Sequence, residues 1–207
     1  MATKLGLFNS ALRELGERKL SSLTEAREPR RVLDDVYDQT LKYCLENGAW
    51  NFAIRTMQIE PDETVSVDFG YRNAFTKPTD WLRTVGLSAD EYFQDPLLQY
   101  VDERGFWWAD ITPLYVRYVS NDINYGLDLT VWPESFSRYV EMTLAYRAAL
   151  GVTGSESTRE RVAMDMKKAM SVAKARDAMS DPPAFAPVGS WARSRTGAWM
   201  GRKYNRA

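Results

Sequence analysis

The hydrophobic period of this chain changes twice, from helical to strand-like near residue 50 and back again near residue 131, and that switch restricts the folds open to it. Leu5, Phe8, Ala11, Leu12 and Leu15 recur on one helical face, with Thr3 placed to cap the helix and Gly16 to stop it. A longer helix is predicted after Pro29, which suits a first helical turn. Its apolar stripe is Val32, Leu33, Val36, Tyr37, Leu41, Cys44 and Leu45, and Asn47-Gly48 is expected to end it in the left-handed conformation. Asp34, Asp35 and Asp38 lie off the stripe and read as a solvated face.

Beyond Gly48, Trp50 to Gln58 alternates with strand period, and Val65-Ser-Val-Asp-Phe69 alternates more cleanly. Trp81-Leu-Arg-Thr-Val85 follows Pro78, which marks a loop or strand entrance. Tyr100-Val-Asp102 and Phe106-Trp-Trp108 flank Glu103-Arg-Gly105, a short connection with glycine at the left-handed position. Leu114 to Val119 is a further strand. Helix returns at Trp132-Pro133, with Phe136, Tyr139, Val140, Thr143, Leu144, Arg147 and Leu150 on its stripe and Gly151 as its stop. Ser155 to Glu160 opens a last helix whose apolar face is Val162, Met166, Ala169, Met170, Ala173 and Ala178. The expected fold is α+β: an antiparallel helical bundle with an inserted small antiparallel β region and an extended C-terminal tail. The expected boundaries are residues 1–49 for the first helices, 50–131 for the β insertion, 132–180 for the last helices and 181–207 for the tail.

Composition removes whole classes of chemistry. Apolar residues make up 44% of the chain and charged residues 27%, an ordinary balance with material for a core. The chain has no histidine, which excludes Ser-His-Asp and Cys-His catalysis, histidine metal clusters and imidazole switching. Its single cysteine, Cys44, rules out an intramolecular disulfide and sits on an apolar stripe, where a buried inert thiol is expected. No Gly-rich phosphate loop is present. No stretch approaches the ~18 apolar residues of a membrane span, and the first residues lack a secretory pattern. The expectation is a soluble protein of a reducing compartment, or of one whose redox state does not matter to it. Asp34, Asp35 and Asp38 could hold Mg²⁺, but no second carboxylate cluster supports a two-metal site. Paired carboxylates are the remaining acid–base route: Asp102, Glu103 and Asp110 surround Phe106, Trp107 and Trp108, the makings of a sugar cleft. Hairpin geometry puts those acids at a turn and at strand ends, where charges face water. The chain is therefore expected to be no enzyme, with no cofactor and no metal.

Charge is divided unevenly. Residues 181–207 carry Arg193, Arg195, Arg202, Lys203 and Arg206 against Asp181 alone, a net +4, so with −1 for the whole chain residues 1–180 carry −5. Those 27 residues, rich in proline and glycine, span about 80 Å when extended at ~3.1 Å each, well beyond the ~17 Å radius of gyration of a compact body. Trp191 and Trp199 are poor residues to leave in water and good anchors in a partner's pockets. Arginine interleaved with tryptophan also suits nucleic acid, but no zinc, helix-turn-helix or RNA-binding signature accompanies it.

Several segments, in order, resemble the tail tubular protein A family of short-tailed bacteriophages, the head-to-tail adaptors. They are Ala11-Leu-Arg-Glu-Leu-Gly-Glu17 with Ser22-Leu-Thr-Glu25, then Arg31-Val-Leu33 through Tyr37 to Leu45-Glu-Asn-Gly-Ala-Trp-Asn-Phe-Ala53. Pro78-Thr-Asp-Trp-Leu-Arg83, Leu114-Tyr-Val-Arg-Tyr-Val119 and Trp132-Pro-Glu-Ser-Phe136 complete the set. The resemblance implies a virion protein of the tail or neck, assembled in the host cytoplasm. Such a protein forms a ring with itself, dodecameric by resemblance, and binds the portal protein on one side and the tail nozzle protein on the other. Genomic DNA would pass through the lumen without specific binding. On this expectation Trp191, Arg193, Arg195, Trp199, Arg202 and Lys203 bind the portal, while Phe106, Trp107 and Trp108 face the nozzle. Another phage connector or head-completion protein stands as the alternative, with a carboxylate-based glycan hydrolase of the tail behind it.

Overall fold

Thr3 is extended and its hydroxyl accepts from the Gly6 N–H at 3.1 Å, so α1 (Lys4–Leu15) starts at its expected cap. Gly16, at φ 77°, closes it, and the Glu17 N–H returns to the Leu12 carbonyl at 2.9 Å. The computed structural model describes residues 2–66, 70–94 and 96–180. α2 (Glu28–Glu46) has Pro29 in its first turn and buries Leu33, Tyr37, Leu41, Cys44 and Leu45.

The end of α2 departs from expectation. Asn47 stays right-handed at φ −72°, and Gly48 is not among the positive-φ residues. Glycine is required there by proximity: a Cβ on Gly48 would stand 2.7 Å from Trp50 Cε2. The Trp50 indole folds back over the helix end and donates to the Cys44 carbonyl at 2.9 Å. That draws Trp50 into the helical core, and Asn51–Ala53 form a 3-10 turn, so β1 (Ile54–Ile59) begins later than the alternation suggests.

The other strands are β2 (Asn73–Thr76), β3 (Trp81–Ser88), β4 (Val101–Glu103), β5 (Phe106–Ala109) and β6 (Leu114–Ser120). Val65 and Ser66 belong to no strand, and residues 67–69 of that expected strand lie outside the described residues. β2 falls where no strand was predicted. The strands form two antiparallel sheets, β1-β6-β3 and β2-β5-β4. Between β4 and β5, Arg104 and Gly105 both have positive φ (49° and 84°), the two-residue turn that matches strand twist. The β3–β6 ladder shifts register on either side of Thr84, with Gly86 at the second irregularity.

α3 (Glu134–Thr153) runs through Gly151 and closes at Gly154, φ 62°. Gly151 is thus no stop: a Cβ there would lie 3.1 Å from Val32 Cγ1, so the missing side chain lets α2 approach α3. α4 (Glu156–Met179) starts at Ser155, whose hydroxyl accepts from the Thr158 N–H. Of its expected apolar face, Ala178 is exposed. α1, α2 and α4 all pack against α3.

The result is a mixed α+β structure, with four α-helices and two small antiparallel sheets among the described residues. It has two apolar cores. One joins the helices with Trp50, Val119 and Trp132; the other holds Phe75, Leu87, Trp107, Leu114, Val116 and Tyr118. Adjacent residues of β6, Tyr118 and Val119, enter different cores, because successive side chains leave a strand on opposite faces.

Candidate functional site

The aromatic hairpin β4–β5 was the expected outward surface of the β region, and the structure divides it by strand parity. Trp107, one of the three residues expected to face the nozzle, points inward and is fully buried in the second core. Phe106 and Trp108 leave on the other face, half-buried, with ring centroids 5.9 Å apart.

Around Trp107 lies an arrangement that sequence reasoning missed. Trp81 of one sheet meets Trp107 of the other edge-on, centroids 6.4 Å apart. Both indoles donate to a single acceptor, the Thr84 hydroxyl, at 3.1 Å from Trp81 and 2.9 Å from Trp107. That hydroxyl in turn donates to Asp102 at 3.2 Å. The Lys77 ammonium lies 3.6 Å from the Trp81 ring and 5.4 Å from that of Trp107, and it pairs with Asp102. Its side chain is only 6% exposed. A buried ammonium persists only with a counter-charge and polarisable rings around it. The cluster therefore joins the two sheets. Its cation and carboxylate are already committed to each other.

The acids considered for acid–base work do not converge. Asp102 and Glu103 are successive residues of β4 and leave on opposite faces, while Asp110 accepts from the Arg72 backbone N–H at 2.7 Å. Asp34 is held by Lys4 at 2.8 Å and by Arg30; Asp35 and Asp38 are exposed. No group of three or more metal-ligating side chains occurs among the described residues. Cys44 is buried, and burial pushes its thiol up to about 11.

A second polar hub ties the β3 entrance to the helix-facing sheet. Asp80, its side chain 13% exposed, accepts from Arg55 Nη1 at 3.1 Å, from the Tyr118 hydroxyl at 3.1 Å and from Ser120 Oγ. Burial raises its pKa, but the hydrogen bonds from Ser120, Arg55 and Tyr118 outweigh burial and leave the carboxyl below its ordinary value. Burial and the Asp80 charge push the Tyr118 phenol well up. Nothing in the spacing of Arg55, Asp80, Tyr118 and Ser120 announces the cluster.

α4 ends beside a small cleft. Trp50, Pro133, Phe136, Ala173, Arg176 and Asp177 line a cavity of about 170 Å³ where α4 ends. The Asp177 carboxylate accepts from the Asn51 backbone N–H at 3.2 Å, and Asn51 Nδ2 donates to the Asp177 carbonyl at 3.1 Å. These bonds tie the last turn of α4 to the 3-10 turn that follows Trp50. Trp191, Arg193, Arg195, Trp199, Arg202 and Lys203, expected to bind the portal, lie outside the described residues. No helix among the described residues is long and apolar enough to cross a membrane. No protein-family model and no curated protein matches the sequence.

Proposed function

We propose that this chain is a structural protein of a bacteriophage virion, a head-to-tail adaptor whose biochemical output is binding. In this reading the four helices form an antiparallel bundle that serves as the body of a ring, residues 50–131 are the insertion, and residues 181–207 extend as a tail that clasps the portal. Phe106 and Trp108, without Trp107, are the aromatic side chains available to the nozzle protein.

One observation carries the reading: a folded body of charge −5 is joined at Ser180 to 27 residues of charge +4 that bear Trp191 and Trp199. An acidic ring repels phosphate, so DNA slides through it without sticking. A long cationic segment with aromatic anchors reaches a neighbouring subunit, and a ring of such segments binds avidly even where each contact is weak. The commitment of Lys77, Asp80 and Asp102 to internal partners supports a binding role over an acid–base one.

The test is reconstitution with portal rings encoded by the same genome. Full-length chain should co-sediment with the rings, and a chain of residues 1–180, folded by circular dichroism, should not. Attachment of the truncated chain would remove the tail from the mechanism; failure of the full chain to attach would overturn the adaptor reading.

A further inference from the structure

The acidic excess of the folded body is not spread over it. Residues 1–53 and 121–180, which supply the helices, each carry eight cations and eight anions, so the helical part is neutral. Residues 54–120, which hold both sheets, carry six cations against eleven anions, and the whole −5 belongs to them. The +4 of residues 181–207 therefore has its complement in the β region of its own chain.

One face of that region suits a basic, aromatic segment. Sheet β2-β5-β4 turns Phe75 and Trp107 into the second core, so by strand parity its opposite face carries two cross-strand rows. Thr76, Phe106 and Glu103 stand side by side in one, and Ala74, Trp108 and Val101 in the other. Phe106 and Trp108 are half-buried, Val101 is 40% exposed and Glu103 is exposed. Asp62 accepts from the Thr76 hydroxyl, which puts a second carboxylate at the β2 end of the first row. Among the described residues the ion pairs of residues 54–120 are Arg55–Asp80 and Lys77–Asp102, so neither Asp62 nor Glu103 has one. The face is an aromatic strip with an unmatched carboxylate at either end.

The stretch from Ser190 to Thr196 has no proline, and in an extended chain Trp191, Arg193 and Arg195 share one side. That side offers an indole to the rings and two guanidiniums to the carboxylates. Reach permits the contact within one chain. α4 ends at the entrance to the β region, where Asp177 holds Asn51. Asp62 is 11 residues beyond Asn51, so at no more than about 3.6 Å per residue it lies within about 40 Å of it. Trp191, Arg193 and Arg195 are 11, 13 and 15 residues beyond Ser180 and can span about the same distance or more. Tethering gives such a segment an effective concentration on the order of 1 mM, so weak pairing suffices.

We infer that residues 191–195 dock on this outer face of their own chain before assembly, Trp191 on Phe106 and Trp108, and Arg193 and Arg195 on Asp62 and Glu103. The contact rests on the adaptor reading for the two partners that it regulates. One docked segment occupies both the portal-binding side chains and the aromatic face kept for the nozzle protein. Portal binding takes the segment away and opens the face, so the nozzle protein follows the portal and not the reverse.

Limited trypsin digestion of the full-length chain, with mass spectrometry of the products, reads the contact. Cleavage after Arg193 and Arg195 should be about 10-fold or more slower than after Arg202 and Lys203, because a docked site is cut only when it opens. The ratio should not change between about 1 and 100 μM protein, since the contact is intramolecular. Trp191→Ser, outside the described body, and Glu103→Lys, at an exposed position without an ion pair, should each bring cleavage after Arg193 and Arg195 up to that after Arg202 and Lys203. Equal cleavage at the two pairs in the parent overturns the contact, as does an unchanged ratio in either variant. Protection that grows with protein concentration also overturns it, by assigning the face to the segment of a second copy. Portal rings are not needed for any of these readings: a protected chain that ignores the rings keeps the contact and removes the adaptor function, while an unprotected chain that co-sediments with them does the reverse.

Discussion

Trp50 and Trp132 close on the same ring: each indole lies 4.9 Å from the Phe136 centroid, and each donates to a carbonyl six residues earlier in the chain, Trp50 to Cys44 and Trp132 to Gly126, both at 2.9 Å. Trp50 stands where the chain leaves the helices for the strands, and Trp132 where it returns. One aromatic cluster thus clasps both ends of the β excursion onto α3.

Removal of the shared ring should therefore loosen both crossings. Phe136→Ala is expected to cost about 3–5 kcal/mol, the usual range for a large buried aromatic. Urea unfolding followed by tryptophan fluorescence measures it, and a loss below about 1 kcal/mol would contradict the clasp.

The close approach at Gly48 makes a different demand. Gly48→Ala should destabilise by about 1–3 kcal/mol, because the new methyl meets the rigid Trp50 indole rather than a flexible side chain. At an ordinary helix end the same change would be near neutral or stabilising. Thermal unfolding of the variant decides between the two.

Thr84 is the only acceptor given to either the Trp81 or the Trp107 indole N–H among the described residues. Thr84→Val keeps the shape and removes the oxygen, stranding both donors, and is expected to cost about 2–4 kcal/mol. Thr84→Ser keeps the acceptor and should lose about 1 kcal/mol or less. Equal losses from the two substitutions would show that packing, not hydrogen bonding, joins the sheets.

Asp80 should govern part of the acid sensitivity. Its pKa in the fold lies below the ordinary 3.8, so the ionised carboxylate stabilises the fold above that value and the contribution is lost as pH falls through the lowered folded value. Asp80→Asn should cost about 1–3 kcal/mol at neutral pH. The gap between parent and variant should narrow below about pH 4. Denaturant midpoints measured from pH 7 to pH 2 check both sign and window; a gap that widens on acidification would be the wrong sign.

Much of the helical framework was legible because its causes are local. Thr3, Gly16, Pro29 and Ser155 act on backbone groups within a few residues, and the apolar stripes repeat over successive turns. Where an expectation erred, a distant contact had intervened. Gly48 and Gly151 look like helix stops, yet one makes room for Trp50 and the other for Val32. Trp50 looks like the first residue of a strand, yet its indole belongs to the helical core. The Phe106-Trp107-Trp108 run shows its aromatic character plainly, but strand parity sends Trp107 alone into the interior.

By itself the sequence determined the order of helical and strand periods, the caps at Thr3, Gly16 and Ser155, the tight β4–β5 turn and the separation of an acidic body from a basic, aromatic end. These follow from residues that interact within a few positions, or from charge that can be counted. Only the tertiary structure decided that Tyr118 and Ser120 meet Asp80 across 38 and 40 residues, and that Thr84 serves two indoles from different sheets. It also decided which side of α4 faces α3, leaving Met164, Val172 and Met179 outside. Such partners are chosen by how whole elements pack, and packing depends on every element at once.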